Sequence, residues 1–486
     1  MDASIRALHK NFMEWAAGPV GSITLHVVGI VLLIVFASMI TPKKKDQEIE
    51  VQMIEVDDQK LDELLEEKPP EELPELVDTV TPPDVDMDMT PPEVEDFAAA
   101  PVQDTVTELN IASDAISPIV MKGLAPGQMS NRSGAGRAAA IGAYGGKWGQ
   151  YAEAAVLRAL EWLRINQSQD GSWSTHDKEA MTGLAILTYL AHGETTASEK
   201  YGPTVERAIR YLVARQNDKG EFCKTDTTAG TYSQAICVYA ISEAYGMTRI
   251  PSLKSVMEKG AQVLIDGQQA KGGYDYKFAK GERRDTSLCG WCCQGMKAAY
   301  IAGAENPNLH EAMEKAVQDM KSVQKADDGA FYYSLIAKSH STHSITAVAV
   351  LSLQLLGHAA DAETKRGLEY LNGADCKWEN PPEWPMYAWY YISQTKFHQG
   401  GASWTSWNNQ FAPQFIRNQN PDGHWESAGL NMKAGSTGRE DMHPVYATTL
   451  AALTLQVYYR FLPTYKPIEV EKIDQKSDSD VTIEIL

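Results

Sequence analysis

The chain has 486 residues, 43% hydrophobic and 9% aromatic, which is apolar material enough for a sizeable core and excludes a wholly disordered or collagen-like protein. A formal charge of -20 excludes an ordinary nucleic-acid binder, because phosphate recognition needs a basic face. The acid is segregated: residues 46–96 hold 20 Asp or Glu against Lys60 and Lys68 alone, so the remainder is close to neutral and still offers no basic face.

Residues 21–40, GSITLHVVGIVLLIVFASMI, run for 20 residues without a formal charge, the length an α-helix needs to cross about 30 Å of hydrocarbon. A cleaved signal peptide is the competing reading, but no small-x-small cleavage site follows, and Pro42, Lys43, Lys44 and Lys45 bound the segment. The sequence therefore predicts an uncleaved membrane anchor. Arg6 and Lys10 before the span, against three lysines after it, favour an outside N-terminus. Ser22 and His26 lie four residues apart on one face of the helix, and polar groups at membrane depth usually face partner helices or a proton path. Close to the end of the span, headgroup water would satisfy the pair instead. Residues 46–96 contain seven prolines and no aromatic residue, and cannot bury enough surface to offset ordering entropy. They read as an extended stalk spanning on the order of 150 Å in polyproline geometry.

The SITLH of the span, the IEVQMIEVDD that follows and the Pro/Glu-rich run make roughly the first 100 residues resemble the N-terminal part of energy-transducing TonB. The resemblance implies that Ser22 and His26 engage ExbB/ExbD-like proton-channel proteins. It also implies an anchor in a bacterial inner membrane with the N-terminus inside and the C-terminal body in the periplasm, the opposite of the charge count. The chain departs from the family at Lys43 to Lys45 and at its C-terminus, where no TonB-type receptor-binding domain occurs. Residues 101–147, rich in Gly, Ala and Ser, read as a linker. A phosphate-loop reading of SGAGRAAAIGAYGG fails because no Lys-Ser or Lys-Thr closes it and no strand-like run precedes it.

From residue 148 one unit recurs: a helical stretch, a Gln, a turn with Gly, then an aromatic residue. It reads QSQDGSW (167–173), QNDKGEF (216–222), QQAKGGY (268–274) and QNPDGHW (419–425), with degenerate copies at 324–331 and 372–378. Successive copies start 49, 52, 56, 48 and 47 residues apart. Each follows an amphipathic helix, such as VLRALEWLRIN or VERAIRYLVAR, and precedes a more uniformly apolar one, near 180–192, 231–245, 285–302, 341–357, 386–399 and 445–461. Several of these close on a glycine suited to a C-cap: Gly193, Gly246, Gly303, Gly357 and Gly400. Amphipathic helices face water and uniformly apolar ones must be buried, so the pattern predicts an all-α protein of two concentric rings over 148–463, with a polar tail at 464–486.

These units resemble the QW motifs of squalene and oxidosqualene cyclases, and the whole resembles the α6/α6 toroid of the terpenoid cyclase and protein prenyltransferase superfamily. That resemblance implies that Gln and Trp stack between repeats, and that a ligand sits in the central cavity near the N-terminal ends of the inner helices. There the sequence offers Thr182, Thr231 to Ser233, Thr286 and Ser287, Trp291, His340, His343, Tyr387, Trp389 and Tyr446 as ligand-binding candidates, and Asp285, Asp441 and His443 as catalytic ones. The aromatic run YAWYY (387–391) would line an isoprenoid pocket or pack between rings. Asp441 would serve as an acid or base, or as a helix cap.

No catalytic set of the superfamily is complete. The chain has no DxDD acid motif for alkene protonation and no DDxxD motif to hold magnesium on a diphosphate. The zinc set of prenyltransferases has only a rough counterpart, Asp285, Cys289 and His343, or Cys292 with His340, because DTSLCGWCC lacks the Asp-x-Cys spacing. Zinc is therefore the one cofactor weighed. Six cysteines leave the disulfide state open. The leading expectation is a membrane-anchored toroid binding a hydrophobic isoprenoid or lipid, a glycan or a peptide. The alternatives are an isoprenoid cyclase or transferase with a non-standard site, and a mechanical adaptor driven by the proton-channel complex.

Overall fold

In the computed structural model the described residues are 131–336, 341–428 and 442–460. The span at 21–40 with Ser22 and His26, the stalk, His340, Asp441 and the tail lie outside them. Among the described residues every element is helical apart from one isolated bridge between Gln324 and Phe331, and no helix is long and apolar enough to cross a membrane.

The amphipathic stretches form the outer helices α2 (Gly149–Ile165), α4 (Gly202–Arg215), α6 (Pro251–Gly267), α8 (Leu309–Ser322), α10 (Ala362–Tyr370) and α12 (Gly401–Arg417). In α4, Val205, Ala208, Ile209 and Leu212 make one buried stripe at helical spacing, while Glu206 and Arg210 pair at 2.6 Å on the wetter side. The uniformly apolar stretches form α3 (Lys178–Ala191), α5 (Thr228–Thr248), α7 (Thr286–Ala302), α9 (His343–Leu355), α11 (Pro385–Gln399) and α13 (Met442–Leu455). Three of these start on side-chain caps: Thr227 accepts from the Gly230 amide, Asp285 from Leu288 and Thr342 from Ile345. Each inner helix packs on the next, and α13 packs on α3; α12 likewise meets α2. The rings therefore close, as the repeat pattern predicts.

The recurring turn is a clasp between neighbouring repeats. The amides of Gln167, Gln216, Gln268, Gln324 and Gln419 donate across to the carbonyls of Thr204, Val256, Ala312, Glu363 and Ala155, each on the next outer helix, at 2.7 to 2.9 Å. Gln419 reaches α2 and so joins the last repeat to the first. The glycine of the turn allows this approach: Gly423 sits at φ +101°, and a Cβ there would lie 2.4 Å from the Arg158 carbonyl oxygen. The aromatic residue works between rings. Trp173 and Trp425 donate their indole N–H to Leu163 and Phe415 near the end of their own outer helices. The backbone amides of Trp173, Phe222, Tyr274, Phe331 and Trp425 are held by side chains of Thr182, Gln234, Cys289, Thr346 and Thr448 on the inner helices. The expected Gln and Trp stacking is thus replaced by hydrogen bonds in two directions. In the degenerate copy at 372–378, Trp378 stacks on Trp389 at 5.6 Å and meets Phe415 edge-on, so ring packing substitutes for the lost Gln and Gly.

Two expectations change. The stretch read as linker up to 147 already contains α1 (Gly134–Tyr144), capped by Ser133, which packs on a last short helix, α14 (Val457–Arg460). Ahead of it Arg132 is buried, 2.9 Å from the Glu243 carboxylate. Gly246 is not a C-cap: α5 runs on to Thr248, and Arg249 takes the left-handed capping conformation.

At the end of α3, His192 lies between Glu153 and Glu194, 2.9 Å from each. Burial, the largest influence, pulls its pKa down, but hydrogen bonds to the two carboxylates outweigh it and the net shift is upward from 6.5. A folded value above the unfolded one means that protonation favours the fold; the contribution is complete below about pH 6 and is lost as pH rises through the raised value. Thermal melts from pH 6 to 7.5 are therefore expected to show a steeper loss of Tm in the native protein than in His192→Gln. For the clasp, Gly423→Ala is expected to cost about 2 kcal/mol or more, lowering Tm by about 4 °C or more, whereas Gly142→Ala, with nothing within 4 Å of the new Cβ, leaves Tm unchanged or slightly raised.

Candidate functional site

All six inner helices begin at one end of the bore, where they and the loops before them enclose a cavity of about 1440 Å³. This exceeds a drug-sized pocket and suits an extended ligand. Below Trp291 the bore is filled: Trp291 stacks on Tyr390 at 5.8 Å, and Gln294 bonds the hydroxyls of both Tyr391 and Tyr390.

On one wall a carboxylate organises a cluster of tyrosines. Asp285 caps α7 with Oδ1, which accepts from the Leu288 amide at 2.9 Å, from Ser287 at 2.6 Å and from the Tyr232 hydroxyl at 3.3 Å. Its Oδ2 has no hydrogen-bond partner, and the Arg283 guanidinium stands 3.7 Å away. Arg283 also pairs with Asp275 and lies over the Tyr276 ring at 4.5 Å, while the Tyr276 and Tyr333 hydroxyls bond each other. Burial first, and the Asp285 carboxylate second, push the Tyr232, Tyr276 and Tyr333 hydroxyls above their ordinary range, so all three stay protonated, Tyr232 giving its hydrogen bond to Asp285. The opposite rim carries Asp375, Glu383 and Trp384. Trp384 is 40% exposed and sits at φ +54°, an uncommon backbone for a bulky residue, immediately before Pro385.

The structure divides the candidates that the sequence offers. Trp291, His343, Tyr387 and Tyr446 line the cavity. The Tyr387 hydroxyl is buried without a partner. His343 lies against Tyr370 at 5.0 Å between ring centroids, and burial draws its pKa down, which keeps the imidazole neutral near pH 7. Trp389 is fully buried between the rings, stacked on Trp378, and is not part of the wall. Thr182 points the same way, to the Trp173 amide. Asp285 is fully buried behind Tyr232 and Ser287, so it orients these cavity-facing hydroxyls rather than meeting a ligand itself. His443 falls on α13, and its side chain, like Asp441, lies outside the described residues.

The zinc set with His343 does not assemble, and His340 of the other set lies outside the described residues. Among the described residues no three His, Cys, Asp or Glu groups could hold a metal. Cys289 turns away from His343 toward the Tyr274 amide and Arg284, and burial raises its thiol pKa far above the thiolate range, as it does for Cys292. All six cysteines are free. Tyr232, Ser233 and Ser287, which the sequence offers, also line the cavity, whereas Tyr276, Arg283, Tyr333 and the Trp384 rim are absent from the sequence reading. For Tyr276 and Arg283 the one signal was the longest repeat interval, 56 residues, part of which is the extended turn from Tyr274 to Thr286 that carries them.

No protein-family model matches the chain, and no curated protein matches its sequence. Among solved structures it is similar to an α-1,6-mannanase, GH76A, of Salegentibacter sp. HEL1_6 (14% identity, 65% of this chain and 100% of that one, TM-score 0.48). It is also similar to the type II terpene cyclase MstE of Scytonema with bound substrate (13%, 64% and 97%, TM-score 0.44) and to a D-mannose isomerase (11%, 64% and 98%, TM-score 0.47).

Proposed function

We propose that the protein is a membrane-anchored binding protein that holds an extended, hydroxyl-rich ligand, a glycan, in the open end of its toroid. The observation that carries this reading is the chemistry of the cavity wall. Rings able to stack on sugar faces, Trp291, Trp384, Tyr387 and Tyr446, alternate with protonated tyrosine donors and with the acceptors Asp177, Asp375 and Glu383. Among the described lining residues the only basic side chain is that of His343. A prenyl diphosphate would thus meet carboxylates where it needs cations, which speaks against the isoprenoid-transfer alternative. Protonation of an alkene would need an exposed strong acid, and Asp285 is sealed behind its own hydrogen-bond donors.

The test is titration calorimetry of the purified chain with soluble oligosaccharides of four to eight units, chosen across glucan, mannan and chitin types. Saturable binding by one type is expected, weakened about tenfold or more by Trp384→Ala or Tyr387→Ala. Binding of farnesol or geranylgeraniol with no response to any sugar would replace this reading by a lipid site.

The anchor belongs to the same proposal. The resemblance of the 21–40 span and stalk to the TonB N-terminus, against the charge count, supports a toroid in the periplasm of a bacterial cell and a Ser22 and His26 face in contact with an ExbB/ExbD-like complex. Purification from its own membrane is expected to bring down proton-channel proteins, and His26→Ala to release them. Unchanged association in that variant would count against energy coupling while leaving glycan binding intact.

A further inference from the structure

The hollow at the mouth is a blind one. On α5 its lining runs from Thr228 to Ile236, and on α11 from the cap residue Trp384 to Ile392, so it reaches about 12 Å along the bore. Its walls are tight at that depth. A Cβ on Gly183 of α3 would lie 2.9 Å from Ile236 Cγ2 of α5, and one on Gly290 of α7 would lie 2.2 Å from Val348 Cγ1 of α9. Each inner helix packs on two neighbours round the ring, so among the described residues no gap between helices lets a chain out sideways. The floor is closed as firmly. Trp291 lies buried over Tyr390 and edge-on to Tyr391, with ring centroids 5.8 Å apart in each pair. Gln294 donates to the Tyr391 hydroxyl at 2.7 Å and accepts from the Tyr390 hydroxyl at 3.1 Å. Below them Arg460 of α14 donates to the hydroxyls of Tyr390 and Tyr239 at 3.1 and 2.9 Å. Hydrogen bonds thus cross the bore from α7 to α11 and on to α14 and α5, and no floor ring swings aside without leaving buried polar groups unmet.

A polysaccharide cannot thread such a hollow. An inner stretch of chain carries a glycosidic bond at each end, and to touch the floor both flanks would have to turn back through one mouth. A terminus enters with one flank only, and it brings a free hydroxyl in place of the second glycosidic bond. The wall has an acceptor for that hydroxyl: Ser233 lines the cavity and spends its own hydrogen on the Ala229 carbonyl at 2.9 Å, which leaves its oxygen able to accept. We infer, on the glycan reading of this cavity, that the toroid captures its polymer by a free chain end and not along the length. The terminal unit sits against Trp291, and the exposed Trp384 ring stands at the rim, where the following units leave the hollow.

The experiment uses the full chain and titration calorimetry with glucan, mannan and chitin octasaccharides in three forms. One is untreated, one is reduced with borohydride so that the ring at the reducing end is opened, and one carries a bulky cap at the non-reducing end. Binding of the untreated sugar is expected to be lost with at least one of the two treatments. The matching polymer, trimmed by partial hydrolysis, gives the second measurement: halving its mean chain length is expected to double the binding sites per gram, because sites follow ends. Binding that survives both treatments, or sites that follow mass instead of ends, overturns the inference and leaves the glycan reading standing. No binding of any untreated octasaccharide overturns both.

Discussion

The structure depends on one contact made five times, a glutamine amide reaching across to a backbone carbonyl of the neighbouring outer helix. A helical hairpin of this kind cannot bury its inner face alone, and a row of such hairpins would leave two raw ends. The bond from Gln419 to Ala155 removes both ends at once, because it makes the last repeat the neighbour of the first. Arg158 strengthens it by donating to the same glutamine, 2.9 Å away through Nε and 2.5 Å through Nη2. Arg207 does likewise for Gln167. The ring is therefore held at its rim by directional bonds and in its interior by apolar packing, which frees the first part of the bore from the need to be filled.

What could be read in the sequence follows from which interactions are local. The clasp residues occupy a seven-residue window, so Gln-x3-Gly-x-aromatic is visible without any knowledge of the fold. The contrast between one-sided and all-round apolar helices shows which ring each helix joins, and the helix boundaries fall within a few residues of those expected. Rotation about a helix axis is harder to read when every face is apolar. Thr182, Cys289 and Trp389 sit on helices correctly placed at the bore yet point outward to the clasp layer, because nothing in a uniformly apolar segment marks which side faces the cavity. Contacts such as Arg132 with Glu243, 111 positions apart, leave no local trace at all.

The cavity wall illustrates a division of labour among acids. Asp285 is committed to its helix cap and to two hydroxyls, so its charge is used to orient Ser287 and Tyr232. Glu383, on a loop, faces the bore, and Asp375 lines it with one oxygen while the other pairs with Lys377 at 2.7 Å. A carboxylate in a loop before an inner helix is thus not by itself a reagent; its remaining hydrogen-bonding capacity decides.

Arg132 has a mechanical consequence. It stands just ahead of α1 and bonds at once to Glu243, to the Leu190 carbonyl and to the Arg460 carbonyl, on α5, α3 and α14, at the pole away from the mouth. A tug on the chain ahead of residue 131 is consequently shared among several helix ends loaded together, as in a lap joint, instead of peeling one hairpin from the rim. The mouth, at the far pole, takes part in none of these three bonds.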